Sequence, residues 1–169
     1  MEPLSSLLRP QTLETFVGQS HLIGEGKPIS TFLEHKKIPS LLFRGPPGCG
    51  KTTLAEIIAR RIQAEFFQLS GVRSKKEDLT EIIKKAELNQ KYGTPTLVFL
   101  DEIHRRNKSQ QDTLLPFVEK GIITLIGATT ENPSFTVNNA LLSRCRLFVF
   151  EKISDEEVYQ FLLLQKEKI

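Results

Sequence analysis

The sequence predicts an α/β fold in which a parallel sheet is covered by helices on both faces. Short apolar segments alternate along the chain with segments whose apolar residues recur at helical spacing, and this alternation is typical of a parallel sheet. One glycine-rich stretch, Gly45–Thr53, lies between such an apolar segment and such a helix. The chain has 169 residues, enough for one α/β domain with a buried core. No repeat or low-complexity linker interrupts it.

Five short apolar segments are predicted to be strands. They are bounded by turn residues, and continuous apolar runs of this length are typical of strands buried on both faces. In chain order they are Leu41–Phe43, Phe66–Leu69, Thr96–Leu100, Ile122–Ile126 and Leu147–Phe150.

The helices are predicted from apolar spacing and from signals at their ends. Pro28 suits the first position of a helix, and Ser154 with Glu157 forms a capping box that begins the last one. Ser109 is the expected cap of another helix, which Pro116 kinks or shortens. The apolar residues expected to face inward are Ile29, Phe32 and Leu33, then Leu54, Ile57, Ile58 and Ile62, then Leu79, Ile82, Ile83 and Ala86, then Leu114, Leu115 and Val118, and last Val158, Phe161 and Leu162, with Asn138–Leu142 as a separate short helix.

The composition argues against a membrane-spanning protein, a disulfide-stabilised protein and a cysteine metal site. Lys and Arg number 23 against 20 Asp and Glu, a net charge of +3 that permits an acidic partner without demonstrating one. The two cysteines, Cys49 and Cys145, are far apart and have no metal-ligand spacing, so we expect free thiols in a reducing compartment. No apolar run is long enough to cross a membrane. We expect a cytoplasmic, nucleoid-associated protein if bacterial, and a nuclear one if eukaryotic.

The stretch Gly45–Thr53 fits the pattern G-x-x-x-x-G-K-[ST] of phosphate-binding loops. Its glycines let backbone N–H groups turn inward around an anion, and the following helix N-terminus favours negative charge. Lys51 can reach the β- and γ-phosphates, and the Thr52 hydroxyl can bind Mg²⁺. The alternative is an accidental Gly/Pro-rich turn, which the flanking strand and helix disfavour. The expected nucleotide-binding residues are Pro46, Gly48, Cys49, Gly50, Lys51, Thr52 and Thr53.

Acidic and hydroxyl side chains follow two of the later strands. Asp101 suits Mg²⁺, and Glu102 suits a general base or the orientation of an attacking water. The alternative is a solvated cap after a strand. Thr129 and Thr130 end the next strand, where a hydroxyl could hold the γ-phosphate or simply cap the strand. Because ligands bind at the carboxyl edge of open parallel sheets, we expect these residues near the phosphate loop.

Two further stretches are ambiguous from the residues alone. Val17–Gln19 is either a surface turn or a cover over a bound base. Arg144 is either a solvated side chain or an arginine that enters the active site of a neighbouring subunit. Arg146 competes for that role, but it begins an apolar strand.

Together, the segments Gly45–Thr53, Asp101–His104, Gly127–Phe135 and Leu141–Arg146 resemble the AAA+ ATPases, and among them the clamp-loader clade. The chain is most similar to the replication-associated recombination protein A group, which includes the Werner-helicase-interacting ATPase. The stretches most specific to that group are Asn107–Asp112 and Glu131–Phe135.

This resemblance implies a five-stranded parallel sheet, ATP and Mg²⁺ as ligands, and particular roles for the ambiguous residues. Val17, Gly18 and Gln19 would lie at the adenine, Thr130 would sense the γ-phosphate, and Arg144 would act in trans. Residues 1–152 would form the nucleotide-binding domain and 153–169 the first helix of a helical lid. The rest of that lid, with its sensor arginine, and the oligomerisation domain would lie outside this chain.

The expected partners follow from the same resemblance. Members of the group are DNA-stimulated ATPases at stalled or gapped replication forks, they assemble as homo-oligomers, and a single-strand-binding protein is a candidate partner. Two basic stretches, Arg73/Lys75/Lys76 and Arg105/Arg106/Lys108, are either DNA contacts or solvated loops. Arg106 stands where the group usually has Phe, which leaves local packing or a DNA contact as its role. The alternatives are a branch-migration motor, a clamp-loader subunit, a non-catalytic assembly switch and, less favoured, a small-molecule kinase.

Overall fold

Five parallel strands form a single sheet at the centre of the protein. The computed structural model describes residues 3–4 and 8–166, and it confirms the expected α/β class. The strand order is β2-β3-β4-β1-β5, and every adjacent pair is parallel. The strands are β1 (Ser40–Arg44), β2 (Glu65–Ser70), β3 (Thr96–Asp101), β4 (Thr124–Thr129) and β5 (Cys145–Val149).

Helices connect the strands and cover both faces of the sheet. They are α1 (Pro28–Glu34), α2 (Lys51–Arg61), α3 (Lys76–Lys91), α4 (Lys108–Asp112), α5 (Leu115–Glu119), α6 (Pro133–Thr136), α7 (Asn139–Ser143) and α8 (Asp155–Gln165), with a 3₁₀ turn at Ile103–Arg105.

The core is divided by the sheet into two apolar clusters, as the alternation of side chains along a strand requires. Leu41 and Phe43 of β1 face one cluster, which also contains residues of α1 and α2. Leu42 faces the other, which contains residues of α3, α7 and the segments between β3 and β4. Both faces of the sheet are therefore buried, and only the edge strand β5 leaves apolar side chains, those of Leu147 and Val149, largely exposed.

The chain between β3 and β4 differs from the expectation. Asn107 caps α4 in place of Ser109: its side chain accepts a hydrogen bond from the Gln110 amide at 2.7 Å, and the Gln110 side chain accepts one from the Asn107 amide. Pro116 lies in the first turn of a separate helix, α5, where its missing N–H breaks no helical hydrogen bond. One expected kinked helix is thus two short helices.

Other differences concern the ends of elements in the second half of the chain. The strand expected at Ile122–Ile126 begins at Thr124, and the one expected at Leu147–Phe150 begins at Cys145. Helix α6 was not expected; Asn132 caps it, and Pro133 occupies its first turn. In α8 the side chains of Val158 and Leu162 are 42% and 53% exposed, so their expected burial was wrong.

The register of the strands brings three loops to one edge of the sheet. Arg44 pairs with Thr129, and Leu100 pairs with Gly127. The segments that follow β1, β3 and β4 therefore emerge side by side at the carboxyl edge, where open parallel sheets bind ligands. Within the described residues, no helix has the length and hydropathy needed to cross a membrane.

Candidate active site

A polar cleft at the carboxyl edge of the sheet brings together the residues that the motifs singled out. Its volume is about 410 Å³. The phosphate loop forms one wall, Asp101 and Glu102 form another, and Thr130 completes it. Arg9, near the N-terminus, also lines the cleft and forms an ion pair with Glu56 at 3.4 Å.

The phosphate loop has a backbone conformation that glycine allows. Gly50 has a φ of 95°, and a Cβ there would lie 2.8 Å from the ring of Phe16, so both the conformation and the close packing require glycine. Helix α2 begins at the next residue, Lys51, and directs its N-terminus into the cleft. The Lys51 ammonium donates hydrogen bonds to the carbonyl oxygens of Gly45 at 2.5 Å and Pro46 at 3.2 Å. These two bonds hold the cation against its own loop.

Asp101 and Glu102, at the end of β3, differ in backbone conformation. Asp101 ends the strand, and its carboxylate accepts a hydrogen bond from the Glu102 amide at 2.9 Å. Glu102 has a φ of 53°, a left-handed conformation that is uncommon for residues other than glycine. Such conformations persist where the surrounding structure enforces them, and they cluster at functional sites. The two acidic residues, adjacent in sequence and both lining the cleft, thus differ in backbone conformation.

The two threonines that end β4 are also set apart. Thr129 is buried, its hydroxyl lies 3.0 Å from Nδ1 of His104, and its oxygen accepts a hydrogen bond from the Glu131 amide. Thr130 is exposed and lines the cleft. The structure therefore makes Thr129 a support that joins β4 to the turn after Glu102, and leaves Thr130 as the hydroxyl that faces the site.

A second, apolar pocket adjoins the phosphate loop. Its volume is about 140 Å³. It shares Gly48, Gly50 and Thr53 with the polar cleft, and Val17 also lines it. The other side chains that line it are Pro10, Phe16, Ile153, Val158 and Phe161, none of which the sequence analysis assigned to the site.

Gln19 holds the wall of this pocket together rather than lining it. Its amide group donates to the Glu151 carbonyl at 2.7 Å and to the Cys49 carbonyl at 3.4 Å, and its oxygen accepts from the Glu151 amide at 2.9 Å. Gly18 packs beside Ile153. The side chain of Gln19 is buried, so this residue fixes the N-terminal segment to the phosphate loop and to the chain after β5.

The fold and these motifs agree with a match to a known family model. Residues 41–152 match the model of the ATPase family associated with various cellular activities. The chain belongs to the AAA family of ATPases. The match covers the strands, the phosphate loop, the acidic pair and both threonines at the end of β4.

Relatives of this AAA chain confirm the narrower resemblance. It is 52% identical over 160 residues to replication-associated recombination protein A of Haemophilus influenzae, covering 95% of this chain and 36% of that protein. It is 49% identical to the ATPase WRNIP1 of Dictyostelium discoideum, covering 92% of this chain and 18% of that protein. In structure it resembles the RuvB Holliday junction branch migration motor of Thermotoga maritima, with a TM-score of 0.72 and 31% identity. The match covers 92% of this chain and 52% of the RuvB chain. The chain spans about a third or less of the length of these curated relatives.

Arg144 lies far from the cleft of its own AAA domain. It follows α7 and precedes β5, whose first residue pairs with Ser40 at the start of β1, so it stands at the amino edge of the sheet. Its guanidinium forms an ion pair with Glu119 at 3.2 Å. The competing arginine, Arg146, packs over the ring of Phe32 at 5.6 Å. Both arginines are exposed, but Arg144 follows the last residue of α7, whereas Arg146 lies within β5.

Gln111 is a buried polar residue whose importance the sequence did not reveal. Its side chain is fully buried, donates to the carbonyl oxygens of Arg106 at 3.0 Å and Thr136 at 2.8 Å, and accepts from the Asn138 amide at 2.6 Å. Asn138 is the N-cap of α7, the helix that leads to Arg144. Gln111, on α4, thus connects the Arg106 backbone, the end of α6 and the start of α7, and the Asn138 side chain also donates to Asp112 of α4. Its only sequence signal was its place within Asn107–Asp112.

The two basic stretches lie side by side next to Glu102. Arg106 joins them, since its guanidinium donates to the Ser74 carbonyl oxygen at 2.5 Å. Arg105 packs against Gly71, whose amide donates to the Asp101 carbonyl oxygen at 2.7 Å. The other basic side chains of these stretches, those of Arg73, Lys75, Lys76 and Lys108, are exposed.

The side-chain oxygens in the cleft suit a metal ion bound together with a nucleotide better than a metal ion bound by protein side chains alone. Among the described residues, no three His, Cys, Asp or Glu side chains cluster as a metal site. Thr52 and Asp101 both line the cleft, and Mg²⁺ is commonly bound by one or two protein oxygens together with substrate phosphates and water. Cys49 adds no nucleophile, because burial raises the pKa of its thiol despite the nearby charge of Lys51.

Proposed function

We propose that this AAA domain binds ATP in the cleft and hydrolyses it with the help of Mg²⁺. The observation that supports the proposal is the convergence of Lys51, Asp101, Glu102 and Thr130 on one cleft at the carboxyl edge of the sheet. A helix N-terminus, a lysine and two carboxylates of different setting are the groups that phosphoryl transfer to water requires.

Each residue has a distinct role in this proposal. The amides from Gly48 to Thr53 surround the phosphates, and Lys51 exchanges its bonds to the Gly45 and Pro46 carbonyl oxygens for phosphate oxygens. Thr52 and Asp101 would hold Mg²⁺, which neutralises charge that develops on the phosphates. The base occupies the apolar pocket beside Val17, while Gly18 and Gln19 fix the segment that covers it.

Glu102 then acts on the attacking water. The carboxylate takes a proton from the water as its oxygen attacks the γ-phosphorus, and the bond from that phosphorus to the β–γ bridging oxygen breaks. ADP leaves with the electron pair, and inorganic phosphate forms. Thr130, at the end of β4, donates its hydroxyl to the γ-phosphate or orients the water. Glu102 has a left-handed backbone conformation, whereas Asp101 before it belongs to β3.

Three substitutions in the complete protein test these roles. Lys51→Ala should abolish ATP binding while the thermal unfolding of the nucleotide-free protein changes little, whereas Glu102→Gln should bind ATP and retain it unhydrolysed. Asp101→Asn should weaken binding that depends on Mg²⁺. Lys84→Ala, at an exposed lysine of α3, is the matched control. Retained nucleotide affinity in Lys51→Ala would remove the phosphate loop from the mechanism.

We further propose that Arg144 completes the active site of a neighbouring copy. Its position at the amino edge, away from its own cleft, supports a role in trans. Arginines of this kind contribute about 10³–10⁵ in rate. Rings that mix Arg144→Ala with Glu102→Gln contain interfaces where an intact Arg144 meets an intact Glu102, so part of the activity should return. Absence of rescue in rings shown to be mixed would contradict the assignment.

The partners of the complete protein are inferred from its relatives. Replication-associated recombination protein A is named for recombination linked to replication, and we propose the same setting here, with DNA stimulating ATP hydrolysis by a homo-oligomer. Residues 1–152 would be the nucleotide-binding domain, and 153–169 would begin a lid. A single-strand-binding protein is a further proposed partner, in the cytoplasm of a bacterium or the nucleus of a eukaryote.

One alternative has support from structure: the similarity to a branch migration motor. Measuring ATP turnover of the complete protein with single-stranded, gapped and four-way DNA separates the two proposals. Stimulation by gapped or single-stranded DNA supports a role at stalled forks, and stimulation confined to four-way DNA supports branch migration. ATP binding without turnover, whether or not DNA is present, would favour a non-catalytic assembly switch.

A further inference from the structure

The backbone pairing that joins β3 to β4 ends before the chain reaches the active site. Its last pair is Leu100 with Gly127, so it does not extend to Glu102 or to Thr130. In the proposed mechanism, both of these side chains act at the γ-phosphate and the attacking water. The position of one relative to the other must therefore be set by contacts beyond the sheet.

Two side chains of the turn that follows Glu102 make these contacts. Ile103 is fully buried, and it packs so closely on β4 that a Cβ at Gly127 would lie 3.1 Å from its Cδ1 atom. The next residue, His104, has its Nδ1 atom 3.0 Å from the Thr129 hydroxyl. Among the residues that the structure describes, this is the only hydrogen bond that joins the turn to the end of β4. Because apolar packing has no preferred direction, His104 supplies the directional part of the contact.

Thr129 is itself bonded to the other segments of the active site. Its carbonyl oxygen accepts a hydrogen bond from the amide of Gly45, the first residue of the phosphate loop, at 3.0 Å. Its hydroxyl oxygen accepts one from the Glu131 amide at 3.0 Å, which leaves the hydroxyl hydrogen for Nδ1 of His104. Thr129 is also buried. His104 therefore contacts a residue that is already fixed to both the phosphate loop and the segment after β4.

The left-handed backbone of Glu102 depends on contacts of this kind. Its φ is 53°, and such conformations persist where the surrounding structure enforces them. On one side, a Cβ at Gly71 would collide with the Glu102 carbonyl oxygen, so the chain after β2 encloses this backbone closely. On the side of β4, Ile103 and His104 hold the turn. Without the His104 bond, only packing holds the turn there, and the Glu102 backbone is less tightly fixed.

We propose that His104 is a positioning residue, which keeps Glu102 and Thr130 at a fixed separation around the attacking water. This inference rests on the proposed hydrolysis by Glu102. His104 does not line the cleft, so it acts through Thr129 and through the backbone of Glu102, not by contact with the nucleotide. ATP binding depends on the phosphate loop instead. Loss of the His104 bond should therefore slow hydrolysis and leave binding in place.

The test compares two substitutions of His104 in the complete protein. His104→Leu removes the nitrogen, whereas His104→Asn places an amide group near the position of Nδ1 and can keep a bond to Thr129. We expect His104→Leu to lower kcat about tenfold and to leave the affinity for a nonhydrolysable ATP analogue within about twofold. His104→Asn should recover most of the lost kcat. His35→Leu, at an exposed histidine that ends α1, is the matched control.

A double-mutant cycle with Thr129 tests whether the hydrogen bond itself is responsible. Thr129→Val removes the hydroxyl with little change in shape. Combining it with His104→Leu should lower kcat no further than Thr129→Val does alone, because either change removes the same bond. If the two losses multiply instead, His104 acts elsewhere and the proposal is wrong. Thermal unfolding of each variant shows whether a loss of kcat merely follows a loss of folded protein, which would also overturn the proposal.

The remaining outcomes separate this proposal from the proposed hydrolysis. An unchanged kcat in His104→Leu, or a kcat in His104→Asn as low as in His104→Leu, refutes the positioning role. Equal losses of kcat and of analogue affinity refute it too, since they indicate general disruption of the site. Failure of the proposed hydrolysis has a different signature, because turnover that Glu102→Gln does not lower removes Glu102 from the mechanism. Inactive Glu102→Gln together with full kcat in His104→Leu refutes the positioning role alone.

Discussion

Replacing Gln111 with leucine tests how much the buried polar link between α4 and α7 stabilises the domain. Leucine has a similar size, so the change removes hydrogen bonds without opening a large cavity. It leaves the Arg106 and Thr136 carbonyl oxygens and the Asn138 amide without their partner. A buried polar group left unpaired costs about 1–3 kcal/mol. Since these three groups are partly accessible to water, we take the lower end, a loss of about 3 kcal/mol.

Chemical denaturation followed by circular dichroism measures this loss as a change in the free energy of unfolding. The matched control is Gln90→Leu, the same substitution at an exposed position of α3, for which we expect a change within about 0.5 kcal/mol. ATP binding should persist in Gln111→Leu, because Gln111 does not line the cleft. If Gln111→Leu is as stable as Gln90→Leu, water or rearrangement satisfies all three groups, and Gln111 is not the link that the geometry indicates.

Three other predictions concern single positions. Gly50→Ala should lower ATP affinity at least about tenfold, since Ala is strained at a φ of 95° and its Cβ meets the ring of Phe16. Isothermal calorimetry measures this affinity, and an unchanged value would contradict the close packing of Gly50 on Phe16. Burial raises the pKa of the Cys145 thiol from 9.0 to about 12, so stability is full below pH 9 and is lost as pH rises toward 12, and Cys145→Ala should reduce that dependence in pH-resolved denaturation. Glu119→Gln should cost under about 1 kcal/mol of stability, as for exposed pairs, but should lower turnover if its ion pair orients Arg144; equal turnover would make the pair incidental.

The sequence predicted the parts of the fold that depend on local pattern. Five apolar segments became five parallel strands, and the capping box of Ser154 with Glu157 begins α8 as expected. The prediction of a single helix after Ser109 was wrong because Asn107 and Pro116 each begin a short helix. These two signals for a helix start lie close together in the sequence. The expected burial of Val158 and Leu162 failed because helical spacing identifies an apolar face but not what covers it.

Within the site, the sequence singled out residues that lie in contiguous motifs and did not reveal contacts between residues far apart in the chain. Lys51 and Asp101 were singled out because their motifs are local, and both line the same cleft. Gln19 was assigned to the adenine by resemblance, whereas its side chain bonds to Glu151, 132 positions away. Phe16 had no signal beyond being apolar, since its partner Gly50 meets it only in the folded chain. Long-range pairs of this kind are specified by the whole sequence and appear in no window of it.

The geometry of the sheet also explains why a second copy of the domain is needed if Arg144 acts in catalysis. Strand β1 runs for five residues from Ser40, beside the start of β5, to Arg44, which precedes the phosphate loop. Arg144 precedes Cys145, the partner of Ser40, so its level in the sheet lies five residue steps before that of Arg44, about 17 Å at a rise of about 3.3 Å per residue. The length of β1 therefore separates Arg144 from Thr52 in the same domain by more than an arginine side chain can extend. One sheet presents the phosphate loop and acidic pair at one edge and the arginine at the other, so two copies in contact would be needed to form one complete site.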